Sequence, residues 1–280
     1  MKVSFCCFLF LLQIYSIYSS KLLNKPNSKS QTKIFVITPT YRRLTRFADL
    51  TAMSNSLRGI ENVHWLVIED GIRKLDGVEK IIKSTEIPYT YLVAKTPPGT
   101  PRRGWYQRDV GIGYLVKYRK QLLQNNQHGV VYFGDDDNTY DRRLFTSYIR
   151  KVKKVGCWAV GMSSSPIESQ KVINGKVVGY NSWYAPDREF ALDFAAFAIS
   201  LHLFVANPQA RLTNHPEQYG HSPEPILLKA LKLKKSDLEP IGYNSKMNEV
   251  LVWHTKTVDI TKMFGKREKM DSVFGYAVEL

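Results

Sequence analysis

The stretch Gly129-Val130-Val131-Tyr132-Phe133-Gly134-Asp135-Asp136-Asp137 decides the fold prediction, because an apolar run between two glycines ends in three consecutive aspartates. A short continuous apolar run of this kind predicts a buried strand of a largely parallel sheet. The carboxyl ends of such strands are where α/β sheets bind their ligands. The sequence therefore predicts an α/β fold whose ligand site includes the aspartate triplet.

The aspartate triplet also indicates what the site binds. Three adjacent carboxylates repel one another, so a fold keeps them in a cleft only if a cation offsets their charge. Hard oxygen ligands on one short loop suit Mg²⁺ or Mn²⁺, which complete their shells with substrate phosphates and water. The triplet predicts a metal–diphosphate site, and the alternative interpretation is a solvated acidic loop.

On both sides of the triplet, the sequence predicts further strands and helices. Before it, strands are predicted at 34–37, 63–68 and 89–93, and helices near 47–57, 76–84 and 105–124. This alternation favours a parallel sheet with helices on its faces. After it, we predict a strand over 155–161, an Asn-Gly hairpin over 171–178, helices near 193–204 and 222–232, and a strand at 250–253. We expect two lobes, 33–140 and 141–280, over one continuous sheet.

Composition restricts the partners. The formal net charge is +15 with a pI of about 9.6, so the partner is expected to be anionic: nucleic acid, an acidic membrane surface, a nucleotide diphosphate or a polyanionic glycan. The basic residues are scattered and accompany no zinc-finger, RNA-recognition or helix-turn-helix signature, so nucleic-acid binding is not predicted. Only Cys157 of the three cysteines lies in the folded part, which argues against a disulfide framework.

The N-terminus predicts entry into the secretory pathway. Lys2 precedes an apolar stretch from Val3 to about Tyr18, which is short for a membrane span. Residues 1–20 are interpreted as a cleaved signal peptide or an uncleaved signal-anchor, and residues 21–32 as a short flexible stem.

Seven motifs, in order over roughly residues 33–258, resemble the β-1,3-glucuronosyltransferases that act on glycoprotein and proteoglycan linkage glycans. They are Ile37-Thr38-Pro39-Thr40-Tyr41-Arg42-Arg43, Val67-Ile68-Glu69-Asp70, Arg103-Gly104-x-x-Gln107-Arg108, Tyr132 to Tyr140, Phe190-x-x-Asp193-Phe194-x-x-Phe197-Ala198, Glu224-x-x-Leu227-Leu228 and Val252-Trp253-His254-Thr255-Lys256-Thr257. The resemblance implies a GT-A-like nucleotide-diphospho-sugar transferase fold, with UDP-sugar-binding lobe 33–140 and acceptor-binding lobe 141–280.

The resemblance also implies an activity and a location. An enzyme of this family would move glucuronic acid from UDP-glucuronate to the 3-hydroxyl of a terminal galactose with inversion. It would be a Mn²⁺-dependent homodimer in the Golgi membrane, anchored by its N-terminus in type II topology with a lumenal catalytic domain. A cleaved, secreted form is the alternative location.

Site residues follow from the same resemblance. Tyr41 and Asp70 would hold the uridine, Asp137 would ligate Mn²⁺, and Asp135 and Asp136 would order the ribose and neighbouring basic side chains. Without the family context, Tyr41 is simply a turn aromatic and Asp70 a strand-end cap. The resemblance further implies donor contacts from Arg103, Arg108, Asn138, Asp193, His254 and Lys256.

Glu224 is the predicted general base. Inverting transfer needs a carboxylate that deprotonates the acceptor hydroxyl. Glu224 leads the apolar run 226–228, which is expected to dock as a helix with Pro225 in its first position and Glu224 as an N-cap-like residue. Glu217 is the competing carboxylate, and a purely structural helix-start acid is the simpler alternative. This block departs from the family, because no arginine occurs at 218–223.

Three other functions fit parts of the sequence. Asp135-x-Asp137-x-Thr139 after an apolar strand also fits aspartate-nucleophile phosphatases, although other predicted strands precede it and no downstream partner motif is evident. A basic, secreted glycan-binding relative with weakened catalysis is the second alternative. The third is the same enzyme class with another UDP-sugar, such as UDP-xylose, or another acceptor.

Overall fold

The computed structural model describes residues 32–102, 104–218, 221–243 and 248–258. The predicted signal segment, the stem up to residue 31 and Arg103 lie outside the described residues. In the part of the chain that is described, no helix has both the length and the apolar character needed to cross a membrane.

The fold is built from short strands and a few helices. In chain order the strands are β1 (Lys33–Thr40), β2 (Val63–Glu69), β3 (Tyr89–Val93), β4 (Gly129–Phe133), β5 (Thr139–Tyr140), β6 (Val155–Cys157), β7 (Val160–Gly161), β8 (Ile167–Ile173), β9 (Lys176–Asn181), β10 (Phe197–Ser200), β11 (Leu238–Pro240) and β12 (Val252–Trp253). The α-helices are α1 (Arg46–Leu57), α2 (Asp76–Lys83), α3 (Trp105–Leu122), α4 (Leu201–Ala206) and α5 (Pro223–Ala230).

The larger sheet has seven strands in the order β11-β6-β10-β4-β1-β2-β3. The four strands β3, β2, β1 and β4 are parallel, as the alternating pattern predicts, and every residue of β4 is buried. β10 runs antiparallel to both β4 and β6. The α/β prediction is confirmed. Because this sheet takes strands from both sides of residue 140, the division into lobes 33–140 and 141–280 stays a prediction.

A smaller sheet borders the loop that carries the aspartate triplet. Its order is β5-β12-β7-β8-β9, and β5 directly follows the loop that carries the triplet. β12 pairs antiparallel with β5, so the residues after Trp253 run beside that loop. The predicted hairpin is present between β8 and β9, where Asn174 and Gly175 have φ of 50° and 73°, as a two-residue turn requires.

Helix α3 lies close against β1 because of a glycine. A Cβ on Gly111 would lie 2.8 Å from Cγ2 of Ile37, which is fully buried in β1. At Gly113, two positions further on, the nearest atom to an added Cβ is 4.0 Å away. Gly111 therefore serves the packing of α3 on β1, whereas Gly113 does not.

Two regular elements predicted after residue 150 are wrong in detail. The helix predicted near 193–204 is a 3-10 turn over Phe194–Ala196, then β10, then α4. Residues 197–200 are buried between β4 and β6, so their backbone groups must pair with strands on both sides. The strand predicted over 155–161 is divided into β6 and β7, which belong to different sheets.

Candidate active site

The aspartate triplet lies on the loop between β4 and β5, as predicted, and its three carboxylates have different partners. Asp135 forms an ion pair with Nη2 of Arg108 on α3. The guanidinium of Arg108 in turn lies 4.4 Å from the centre of the Phe194 ring. The hydroxyl of Tyr140 donates to the main-chain oxygen of Asp135 at 2.7 Å, and this hydrogen bond holds the loop in place. The structure thus brings Asp135 and Arg108 together.

Asp136 points into the protein. Thr40 Oγ1 donates to its Oδ2 at 2.7 Å, and Arg43 approaches its two oxygens at 3.0 and 2.8 Å. Burial raises the pKa of Asp136 to about 6, although Arg43 and Thr40 stabilise the charged form. Asp136 therefore ties the triplet to the end of β1, and a direct contact with ribose stays a prediction.

Asp137 is the carboxylate that fits a metal ion. Its side chain makes no hydrogen bond or ion pair within the described residues, and burial and the charge of Asp135 raise its pKa. Its main-chain oxygen accepts from Thr255 Oγ1 at 2.8 Å. No group of three or more His, Cys, Asp or Glu side chains that could hold a metal occurs in the described part of the chain. One free carboxylate suits an ion that takes its other ligands from phosphates and water.

Asn138 is buried directly behind the triplet. It is 3% exposed, and neither atom of its side-chain amide has a hydrogen-bond partner within the described residues. An unpaired buried amide costs free energy, so a bound water or ligand atom would stabilise it. A donor contact from Asn138 remains a prediction.

The two predicted uridine ligands end neighbouring strands. Tyr41 follows β1 and is 54% exposed, so a ring face is available for stacking. Asp70 follows β2, and its carboxylate accepts from the main-chain N and the hydroxyl of Thr96 at 2.8 and 2.7 Å. Asp70 therefore anchors the loop after β3, and its contact with uridine stays a prediction. It lines a groove of about 380 Å³ together with Arg42.

His254 and Asp193 form a pair opposite the triplet. Nδ1 of His254 lies 3.1 Å from Oδ2 of Asp193, and this hydrogen bond raises the pKa of His254. Burial alone would raise the pKa of Asp193, yet the hydrogen bond and charge of His254 hold it below its ordinary value. Oδ1 of Asp193 accepts from the main-chain N of Ala195 at 2.8 Å. Lys256 is exposed and makes no ion pair within the described residues.

A cleft of about 880 Å³ opens beside this pair. Its polar lining includes both acids and bases, namely Arg102, Glu168, Arg188, Asp193, His221 and Glu224. Tyr184, which is 54% exposed, supplies aromatic surface. Aromatic faces combined with convergent polar groups are typical of sugar-sized ligand sites. Tyr41, Asp70 and the triplet do not line this cleft.

Glu224 lies in the first turn of α5, facing this cleft. Pro223 occupies the first helical position and Ser222 is the N-cap, so the prediction of Glu224 as an N-cap-like residue before Pro225 is wrong by two positions. Proline needs no hydrogen-bond acceptor in the first turn, which is why both prolines fit there. Ser222 Oγ accepts from Arg188 at 2.6 Å.

The charge environment of Glu224 is unusual. Burial and the carboxylate of Asp193 raise its pKa to about 8, while Arg188 and Arg108 lower it less. Glu217, the competing carboxylate, lies in a separate 3-10 turn, and its side chain is 63% exposed. A half-buried carboxylate with a pKa near neutrality is suited to accept a proton from a hydroxyl. Glu224 is the better placed of the two.

The sequence patterns assigned no role to Arg43, Tyr184, Glu168 or Arg188. Arg43 holds Asp136 and also lies 4.9 Å over the Tyr41 ring. A basic pair at 42–43, directly after a strand in the predicted parallel sheet, was the available signal. Glu168 and Arg188 line the cleft from regions without a sequence pattern that would mark them.

Comparison with known proteins agrees with this architecture. Human galactosylgalactosylxylosylprotein 3-beta-glucuronosyltransferase 2 is 35% identical over 246 residues, which cover 86% of this chain and 74% of the relative. Human galactosylgalactosylxylosylprotein 3-beta-glucuronosyltransferase 1 is 36% identical over 246 residues, covering 83% and 71%.

Structural similarity extends to a more distant protein. A crystal structure of S. aureus TarS matches 80% of this chain and 60% of that chain, with a TM-score of 0.50 and 14% identity, which shows the fold alone. The GT-A-like fold implied by the resemblance is confirmed. The sequence profile of glycosyltransferase family 43 matches residues 53–258. With the two human relatives, this match shows that the chain belongs to glycosyltransferase family 43.

Proposed function

We propose that this protein is an inverting glucuronosyltransferase that moves glucuronic acid from UDP-glucuronate to the 3-hydroxyl of a terminal galactose. Membership of the family and the names of both human relatives support this reaction. The observation that carries it is the placement of Glu224, a carboxylate of raised pKa, in a sugar-sized cleft beside Asp193 and Arg108. Arg108 pairs with Asp135 and its charge also lowers the pKa of Glu224, so the guanidinium acts electrostatically on both the triplet and the proposed base.

The donor would be held at the carboxyl ends of β1, β2 and β4. Tyr41 would stack on uracil, and Asp70 would accept from the base or the ribose. Lys256 would bind the diphosphate, because it is exposed and has no anionic partner within the described residues. His254, whose pKa the hydrogen bond to Asp193 raises, would bind the diphosphate or the glucuronate carboxylate.

Mn²⁺ is the proposed cofactor, and Asp137 its protein ligand. The free, half-buried carboxylate of Asp137 fits such an ion. When bound, a divalent ion would offset the charge of the diphosphate and of the leaving UDP. Asp135 and Asp136 would keep the loop in place through Arg108 and Arg43.

Glu224 would act on the acceptor. Its carboxylate would take the proton of the galactose 3-hydroxyl while that oxygen attacks the anomeric carbon from the face opposite UDP. The C–O bond to UDP breaks as the new glycosidic bond forms, so an α-linked donor yields a β-linked product. Tyr184 and Arg188 would position the acceptor sugar in the cleft.

The cellular setting is part of the same proposal. The apolar segment within residues 1–20 supports a single-pass type II anchor with the catalytic part in the Golgi lumen, and a homodimer is the expected assembly. Recovery of mature protein that begins near residue 21 would instead identify a cleaved, secreted form.

A donor and acceptor panel tests the reaction. The purified protein is incubated with UDP-glucuronate, UDP-xylose and other UDP-sugars in turn, each with galactose-terminated acceptors and Mn²⁺. The proposal requires transfer of glucuronate in preference to the other sugars. Preferred transfer of another sugar would change the donor, and binding of acceptor without any transfer would identify a catalytically weakened relative.

A further inference from the structure

A buried carboxylate on α1 connects two parts of the site that are distant in sequence. Asp49 is 3% exposed, and its oxygens accept three side-chain hydrogen bonds. Thr257 Oγ1 donates to Oδ1 at 2.5 Å. Thr45 Oγ1 and Nη2 of Arg43 each donate to Oδ2 at 2.8 Å. One carboxylate therefore joins the start of α1 to the segment after β12.

Arg43 extends the contacts of Asp49 to Asp136 and to Tyr41, the residue proposed to stack on uracil. It contacts both oxygens of Asp136 at 3.0 and 2.8 Å, and its guanidinium lies 4.9 Å from the centre of the Tyr41 ring. A cation over one face of an aromatic ring is attracted to it and occupies that face. Arg43 therefore leaves the opposite face of Tyr41 for a stacked base.

Thr257 extends the contacts of Asp49 to the segment around Lys256, the residue proposed to bind the diphosphate. Thr255 Oγ1 donates to the main-chain oxygen of Asp137 at 2.8 Å, and Thr257 Oγ1 donates to Asp49. Lys256 lies between these two anchored residues. Its main chain is thus held on both sides, while its side chain remains exposed.

We propose that Asp49 is a positioning residue for the UDP donor, holding Arg43 and Thr257 so that Tyr41 and Lys256 are arranged for one ligand before it binds. This inference rests on the proposed function, since it concerns the same UDP site. Groups arranged in advance bind more tightly because less conformational freedom is lost on binding.

The contact with Arg43 depends on the negative charge of Asp49. Arg43 can only donate, and both threonine hydroxyls donate to Asp49 in the structure. An asparagine of the same shape offers one accepting oxygen and one donating amide. Asp49→Asn removes the negative charge beside Arg43, and its amide can at most replace one accepting oxygen by a donor to Thr257 Oγ1, which is able to accept.

The primary test measures UDP affinity. UDP binding to the purified protein is followed by calorimetry in the presence of Mn²⁺. Asp49→Asn should weaken it by about tenfold or more, the usual effect of losing a hydrogen bond to a charged group. KM for the UDP-sugar should rise by a similar factor while kcat changes by less than about twofold, because Glu224 lines a separate cleft.

A surface variant keeps the test independent of folding. Thr257 is exposed, so Thr257→Val removes the hydroxyl without disturbing a packed core. It should weaken UDP binding in the same direction, and Thr257→Ser, which keeps the hydroxyl, should restore it. In the Asp49→Asn background, Thr257→Val should have a smaller effect than in the wild type, because the charge that holds Arg43 is already lost.

The control is a carboxylate of similar type away from the site. Glu239 on the edge strand β11 accepts from the main-chain N of Lys153 and Lys154 at 2.8 and 3.1 Å, and Glu239→Gln should leave UDP affinity unchanged. If wild-type protein binds UDP and Thr257→Val binds it equally well, this inference is wrong and the proposed function stands. If the wild-type protein does not bind UDP, both are wrong.

Discussion

Lowering the pH should lower kcat/KM, because protonation of Glu224 removes the proposed general base. Burial and the carboxylate of Asp193 raise the pKa of Glu224 to about 8 in the absence of ligand. A group with this pKa is about one tenth deprotonated at pH 7 and about one hundredth at pH 6. Only the deprotonated carboxylate can accept the proton of the acceptor hydroxyl. Consequently kcat/KM should fall about fivefold between pH 8 and pH 7 and about tenfold for each pH unit below 7.

The assay measures transfer at donor concentrations well below KM, because kcat/KM then reports ionisation of the free enzyme. Asp193→Asn removes the negative charge that raises the pKa of Glu224. In the pH profile of kcat/KM for this variant, the acidic limb should therefore move to lower pH, regardless of the maximum value of kcat/KM. A wild-type profile that is already level at pH 6, or an acidic limb that does not move in Asp193→Asn, would refute the reasoning.

Three further outcomes are expected. Glu224→Gln should lower turnover by roughly 10²–10⁴-fold and leave UDP affinity unchanged. Glu217→Gln changes an exposed carboxylate and should keep full turnover. The reverse result would show that the base is misassigned. Asp137→Ala should abolish the Mn²⁺-dependent part of UDP binding measured by calorimetry, and binding that is indifferent to chelation in the wild type would contradict the metal assignment. Gly111→Ala should destabilise the protein by about 1–3 kcal/mol in thermal unfolding, because its Cβ would lie 2.8 Å from a buried methyl of β1. The control Gly113→Ala should instead stabilise it by about 0.5–1 kcal/mol, and equal effects of the two would disprove the packing argument.

The parallel part of the sheet could be predicted because its signals are local. The apolar runs at β1, β2 and β4 are flanked by turn residues, and each is followed by a helical pattern or a polar loop. Parallel strands buried on both faces have continuous apolar sequences, which are simple to recognise. The position of the triplet at the end of β4 could be predicted for the same reason.

The mixed region was harder to predict because its structure depends on pairing between distant segments. Residues 197–200 have a sequence compatible with a helix, and only their position between β4 and β6 makes them a strand. Sequence spacing also did not reveal that Arg43 would contact Asp136, ninety-three positions away. Glu168 and Arg188 reach the cleft through loops that periodicity cannot place.

The anomeric configuration of the product tests the central claim most directly. Purified protein, UDP-glucuronate with its α-linked sugar, Mn²⁺ and a galactose-terminated acceptor are incubated, and the isolated product is analysed by NMR. The account predicts glucuronate joined in β-configuration to the 3-hydroxyl of galactose, with product formation lost in Glu224→Gln. An α-linked product, or a β-linked product that Glu224→Gln forms at the wild-type rate, would contradict it.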